Sequence, residues 1–376
     1  MRFPFRFGTI NGIYRREKGE MRNVKKDSTY SDGRLEWLDV LKFIGMYLVI
    51  IGHASEVFGI HSYRHYIYSF HMPLFFMISG MGFYLQLQKK NWTFTDMLVN
   101  KLKRLAWPYI TLNLLALPIW YLNHRVLTSA DDSFEYTLIA ICFSNQKRLG
   151  WEANATWFIP TLFFALMLFY LIVTWSRKNR YWIAGISIAL GIGGLALSLI
   201  RPRLQLPWHL STVPVAVMFL MMGYFFIENI QTIHRLLEKW YVKIIALILC
   251  LAAGLVCARF NVDVSMHINR YGNWILFMGS VLFLSMACYL VATIIPPLGI
   301  FKFIGRNTLV LLAFHQPCFR LMENLSPATH QFILDYPILT GTLVMILLLP
   351  LCYVVERWLP FLLGKPRKTK KKAEDS

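Results

Sequence analysis

A succession of long apolar stretches, separated by short connections rich in Lys and Arg, restricts this chain more than any other feature. A helix needs about 20 mostly apolar residues to cross a bilayer, and only helices or closed barrels satisfy their backbone there. Ten segments are candidates: Leu38–Val57, Tyr66–Leu85, Leu105–Leu122, Thr156–Trp175, Tyr181–Ile200, Ser211–Ile227, Val242–Ala258, Trp274–Ile294, Asn307–Arg320 and Ile338–Leu359. Asn307–Arg320 is the shortest of them. Thr137–Phe143 is too short to cross and reads as an interfacial or re-entrant piece of a long connection.

The cationic residues test this count, because cytoplasmic connections carry the excess of Lys and Arg. With the amino terminus inside, the inner segments hold 29 of the 39 and the outer connections nine, while Lys42 lies within the first span. A missed helix would scramble that alternation downstream. The expectation is an all-α polytopic membrane helix bundle of about ten transmembrane helices, with both termini cytoplasmic. Residues 1–36 are expected to form a disordered basic cytoplasmic tail, 37–360 the transmembrane domain and 361–376 a second basic cytoplasmic tail. The first 36 residues lack the apolar core of a signal peptide, and Met21 is a second candidate start.

Composition agrees. Apolar residues make up 56% and charged residues 16%, which excludes a soluble globular domain, a disordered chain and a collagen-like one. The net charge of +19 does not imply a nucleic-acid partner, since the basic residues punctuate apolar segments instead of lining one face. The six cysteines are isolated, with no C-x-x-C, so neither a disulfide framework nor a metal site is implied.

Ionisable groups at membrane depth are costly, and each is a candidate for function. The first two spans concentrate them: Asp39, Lys42, His53 and Glu56, then His71. At 100° per residue, Lys42 and His53 fall within about 20° of the same helix face, roughly 16 Å apart along the axis. Asp39 lies three residues before Lys42, within ion-pair reach. The stripe must face the protein interior, with a cation near the inner surface and two imidazoles near the outer one. A proton-transfer group working near neutral pH is most simply His. Plainer roles are open for each residue. Lys42 could snorkel to the inner headgroups, and Asp39 could be a first-turn acid favoured by the helix dipole. His53 could hold a structural hydrogen bond, and His71 could brace a bend at Pro73. His315 stands evenly between the two kinds of role. Glu56 reads as interfacial and the remaining histidines as loop residues.

Leu38-Asp-Val-Leu-Lys42, continuing to Gly52-His53, then Phe70-His-Met-Pro-Leu-Phe-Phe-Met-Ile-Ser-Gly80, resembles acyltransferase family 3 of integral membrane proteins. The similarity is closest to its fucose-acetylase-like and polysaccharide O-acyltransferase branch. That family's signature is a basic residue, ten others, then His, the spacing of Lys42 and His53. Thr156-Trp-Phe-Ile-Pro160 and Gly305-Arg-Asn-Thr, running on to His315, are similar to later family segments, and the resemblance spans about Arg34 to Leu359. Where the family commonly has Arg, this chain has Lys42, a point cation without the planar fork.

The resemblance implies transfer of an acyl group, commonly acetyl, from cytoplasmic acyl-CoA to a sugar hydroxyl on an extracytoplasmic glycan or lipid-linked saccharide, in the cytoplasmic (inner) membrane. Acyl-CoA is then a donor substrate, and no bound cofactor is expected. His53 is the expected general base with His71 orienting it or sharing its proton; Lys42 and Asp39 are the donor-side pair, and His315 is a late-helix candidate. Trp151 and Trp157 are candidate sugar contacts in or beside the outer connection Asn123–Ala155, which also holds Asp131, Asp132 and Asn154. A proton-coupled transporter or flippase of a saccharide is the competing reading, since His and Asp can also relay protons. No inverted repeat is evident to favour it.

Overall fold

The computed structural model describes residues 30–31, 34–54, 62–127, 134–144, 154–202 and 204–366. The terminal stretches 1–29 and 367–376 lie outside the described residues, as do Met21, Glu56, Asp131, Asp132 and Trp151. The side chain of Asn154 does too. Apart from a two-residue antiparallel pairing of Tyr30–Ser31 with Arg34–Leu35 and an isolated bridge between Ser265 and Arg270, the regular structure of the described residues is helical.

Among the described residues, eight helices are long and apolar enough to cross a membrane: Glu36–Ala54, Tyr63–Leu87, Ala155–Trp175, Arg180–Ile200, Pro207–Glu228, Trp240–Arg259, Trp274–Ile294 and Pro337–Arg357. The other two expected spans are present as helices that fall short. Trp107–Tyr121 has only 15 α-helical residues, because wide π-helical turns at Leu102–Ala106 and Leu122–Leu127 flank it; Pro118 lies inside it without ending it. Thr308–Leu325 is 18 residues long, but His315, Gln316, Arg320 and Glu323 make it too polar for lipid. Phe134–Phe143 is a ten-residue helix in the long connection, in keeping with the short apolar segment expected there.

The helices that build the site are α1 (Glu36–Ala54), α2 (Tyr63–Tyr68), α3 (His71–Leu87) and α4 (Phe94–Lys101). They continue with α5 (Trp107–Tyr121), α6 (Phe134–Phe143), α7 (Phe158–Trp175), α8 (Arg180–Ile200) and α9 (Val213–Glu228). The carboxyl-terminal half adds α10 (Ile230–Leu236), α11 (Trp240–Arg259), α12 (Trp274–Ile294), α13 (Gly299–Arg306), α14 (Thr308–Leu325), α15 (Pro327–Asp335) and α16 (Pro337–Arg357). Their starts follow local chemistry. Asn179 and Asn273 accept the first free amides of α8 and α12, while Thr93 and Asp96 form a reciprocal box at α4. Pro73 is the third residue of α3, where its missing N–H is no loss. The interruption in this hairpin falls at Ser69–Phe70 instead, so His71 opens α3 and does not brace a bend at Pro73.

Helix α1 is the centre of the bundle, packing on α3, α12, α13, α14 and α16. Close helix approach in lipid relies on residues without side chains. A Cβ on Gly80 would strike the Leu220 carbonyl and one on Gly223 the Met77 carbonyl, so α3 and α9 cross backbone to backbone. Gly305 meets the Asp39 carbonyl in the same way. At the periphery α11 buries only Gly254 and Ala258 and presents most of its surface outward.

Candidate active site

The last turn of α1 carries His53, which is partly open while its neighbours Gly52 and Ala54 are buried. Gly52 lets α2 come close: a Cβ there would sit 3.2 Å from Ile67 and 3.3 Å from the Tyr68 ring. Tyr68 Oη then lies 2.9 Å from His53 Nδ1. The Arg64 guanidinium covers the same phenol ring, 4.6 Å from its centre. From the other side α14 brings Gln316, whose Nε2 is 3.0 Å from His53 Nδ1. The backbone N–H of Ala155 donates to Gln316 Oε1 over 2.7 Å. Two other helices therefore meet at one imidazole, with the Ala155 backbone bracing the Gln316 amide.

His315 stacks at a tilt beside His53, ring centres 5.1 Å apart. It is fully buried, and its Nδ1–H donates to the Leu311 carbonyl over 2.8 Å. Its Nε2 is buried without a hydrogen-bond partner among the described residues. His71 repeats that pattern, with Nδ1 donating to the Ile67 carbonyl over 2.8 Å. The His71 ring lies 4.8 Å from Tyr68, so it meets His53 through that phenol and not directly.

The structure keeps Lys42 and Asp39 out of this cluster. They pair with each other at 3.0 Å, toward the other end of α1. Beside them Lys302 meets Glu36 at 2.7 Å, and Asn307 donates to Glu356 over 2.8 Å. Gly305 abuts Asp39 and Gln316 reaches His53, so α13 and α14 run alongside α1 in the same direction. The two motif segments noted in the sequence thus meet twice, once at each end of the first span.

Trp157 is buried, its ring 5.3 Å from His209 and 6.2 Å from His267. Trp208 and His209 both take left-handed backbone angles, with φ of 55° and 53°. His209 Nδ1 lies 3.0 Å from the His267 carbonyl, and its Nε2 is buried without a partner among the described residues. His65, taken from sequence as a loop residue, is buried in α2 and faces acceptors on both nitrogens. Asp263 is 2.6 Å from Nδ1 and the Ala258 carbonyl 2.7 Å from Nε2. Sequence reasoning missed Tyr68, Gln316, Arg64 and this outer histidine pair. The one signal that pointed to Gln316 was its place next to His315 in a span too polar to face lipid.

A helical membrane bundle with an imidazole held by two other helices defines a membrane enzyme site more readily than a lipid-facing scaffold. A family model for an acyltransferase domain matches residues 35–357, and the chain belongs to acyltransferase family 3. It is a multi-pass membrane acyltransferase. The nodulation protein NolL of Mesorhizobium japonicum is 26% identical over 314 residues, covering 76% of each chain. No solved structure matches.

Proposed function

We propose that the protein transfers an acyl group, acetyl by preference, from cytoplasmic acyl-CoA to a hydroxyl of an extracytoplasmic or lipid-linked saccharide. The membrane is the cytoplasmic one, with the basic tails inside. His53 accepts the hydroxyl proton as general base. The observation that carries this reading is the convergence of Tyr68, Gln316 and His315 on one partly open imidazole at the end of α1. A buried apolar helix has no structural need of such a group, whereas acyl transfer to an alcohol needs a base. Lys42 and Asp39 serve the donor, their pair lying about 16 Å along α1 from His53. That span suits an extended pantetheine arm reaching from the cytoplasmic side. Trp157 and Trp151 keep the sugar-contacting role assigned from sequence, Trp157 from a buried ring packed against His209 and His267. Exclusion of bulk water around the histidines limits hydrolysis of the thioester.

The test is transfer of label from radioactive acetyl-CoA into the saccharide fraction of membranes carrying wild type or His53→Ala at matched levels. Loss of the base should lower the rate by about 10²–10⁴-fold. Equal label in both would remove His53 from the chemistry. No label in either, with succinyl-CoA tried as well, would favour a saccharide transporter.

A further inference from the structure

The hydrogen bonds around His53 assign its tautomer. A backbone N–H can only donate, so the Gln316 atom 2.7 Å from Ala155 N is the carbonyl oxygen. The other end of that amide is then NH₂, and it donates to His53 Nδ1 over 3.0 Å. Nδ1 therefore presents its lone pair, and neutral His53 carries its proton on Nε2. The Tyr68 hydroxyl, 2.9 Å from the same nitrogen, must donate too, and its oxygen accepts from the Arg64 guanidinium with a second lone pair left to accept. Neither His71 nor His315 is held this way, since both spend their Nδ1–H on the carbonyl four residues back. Tyr68 and His53 are partly open, whereas His71 and His315 are buried.

We propose that Gln316 is a positioning residue that holds His53 as the Nε2–H tautomer, so that the acceptor's proton enters at Nδ1 by way of the Tyr68 hydroxyl. This rests on the acyltransferase reading above and deepens it. The acceptor oxygen bonds to the thioester carbonyl carbon while its proton passes to Tyr68 Oη. The phenol's own proton passes at the same time to His53 Nδ1. The carbon–sulfur bond breaks, and the departing thiolate takes the proton from Nε2 of the imidazolium. The products are the ester and the free thiol. One proton has entered at Nδ1 and one has left at Nε2, and exchange with water restores the resting tautomer. Nε2 makes no hydrogen bond to the described residues, so its proton is not committed to the protein there.

The alternative, direct deprotonation by Nε2, demands Nδ1–H, which the Gln316 amide opposes. Gln316→Glu separates the two with opposite signs. The ionised carboxylate introduced by that substitution would accept from Nδ1–H and free the Nε2 lone pair. Under the proposed route kcat falls by 100-fold or more, of the order seen when a catalytic histidine is held in the wrong tautomer (about 10⁴). KM for acetyl-CoA changes little, a split between the two constants that a merely structural role would not give. Tyr68→Phe should lose a similar factor in kcat at constant donor KM, and the double variant should be no worse than either single one. Both variants are compared at matched detergent-solubilised melting temperature, and Tyr68→Phe carries the test alone where Gln316→Glu does not fold. Gln316→Glu at or above wild-type kcat, or Tyr68→Phe within threefold of wild type, overturns the assignment. Absence of acyl transfer by wild type itself would instead sink the underlying reading.

Discussion

A buried ammonium without a carboxylate partner is stable only to the extent that it can shed its proton. Lys101, the last residue of α4, is in that position. Its Nζ donates to Gln86 Oε1 over 2.6 Å and lies 5.5 Å from the Phe83 ring centre, and burial pulls its pKa down to about 8. The unfolded chain keeps the ordinary value near 10.4. Between about pH 8 and 10 the unfolded state thus binds more protons, and stability must rise with pH, by up to about 3 kcal/mol. Melting temperature in detergent between pH 7.5 and 9.5 should climb in wild type more than in Lys101→Met. Equal slopes would show that Lys101 stays charged. At this same scale His53 is legible in the sequence because an ionisable residue inside an apolar run has few bland explanations. Tyr68 and Gln316 are not legible, since tyrosine is common near membrane surfaces and Gln316 meets His53 across 263 residues of chain.

Helix–helix approach sets the positions of these side chains to within tenths of an ångström. The α3–α9 crossing depends on Gly80 and Gly223, each of which leaves room for a carbonyl of the opposite helix. A methyl at Gly223 has nowhere to go, because backbone cannot swing aside as a side chain can. Gly223→Ala should cost about 1–3 kcal/mol by overpacking. Gly185→Ala and Gly193→Ala, where an added Cβ meets nothing, should cost far less. Yield of folded protein by size-exclusion fluorescence checks this, and equal losses at all three positions would refute the crossing. Period and length alone announce most of these helices. Their irregularities are harder to foresee, because neither Ser69 nor Phe70 is a glycine or proline that would announce the interruption, and the π turns around α5 carry no such breaker either. The seam where Gly305 meets Asp39 was likewise invisible, since a glycine in a loop-like sequence says nothing about which backbone it approaches.

At the scale of the whole molecule, α1 joins two polar sites that no side chain among the described residues bridges. One end holds the Asp39–Lys42 pair and its neighbours Glu36 and Lys302, and the other holds the His53 cluster. If donor and acceptor arrive from opposite faces, damage at the two ends must appear in different kinetic constants. Lys42 keeps 30% of its side chain exposed despite its ion pair, enough to reach a phosphate or carbonyl of an incoming donor. Removing one such charge-assisted contact, worth about 1.5–3 kcal/mol, should raise KM for acyl-CoA by about 10–100-fold. Lys42→Ala is therefore expected to weaken the donor with the acceptor KM within twofold and kcat largely preserved at saturation. Lys42→Arg, which keeps the charge, should recover most of that loss. His53→Ala gives the opposite pattern, a fall in kcat with the donor KM nearly unchanged. Steady-state kinetics with both substrates varied would distinguish these outcomes. A Lys42→Ala defect confined to the acceptor KM would place the donor on the other face and reverse the polarity assigned to the first helix.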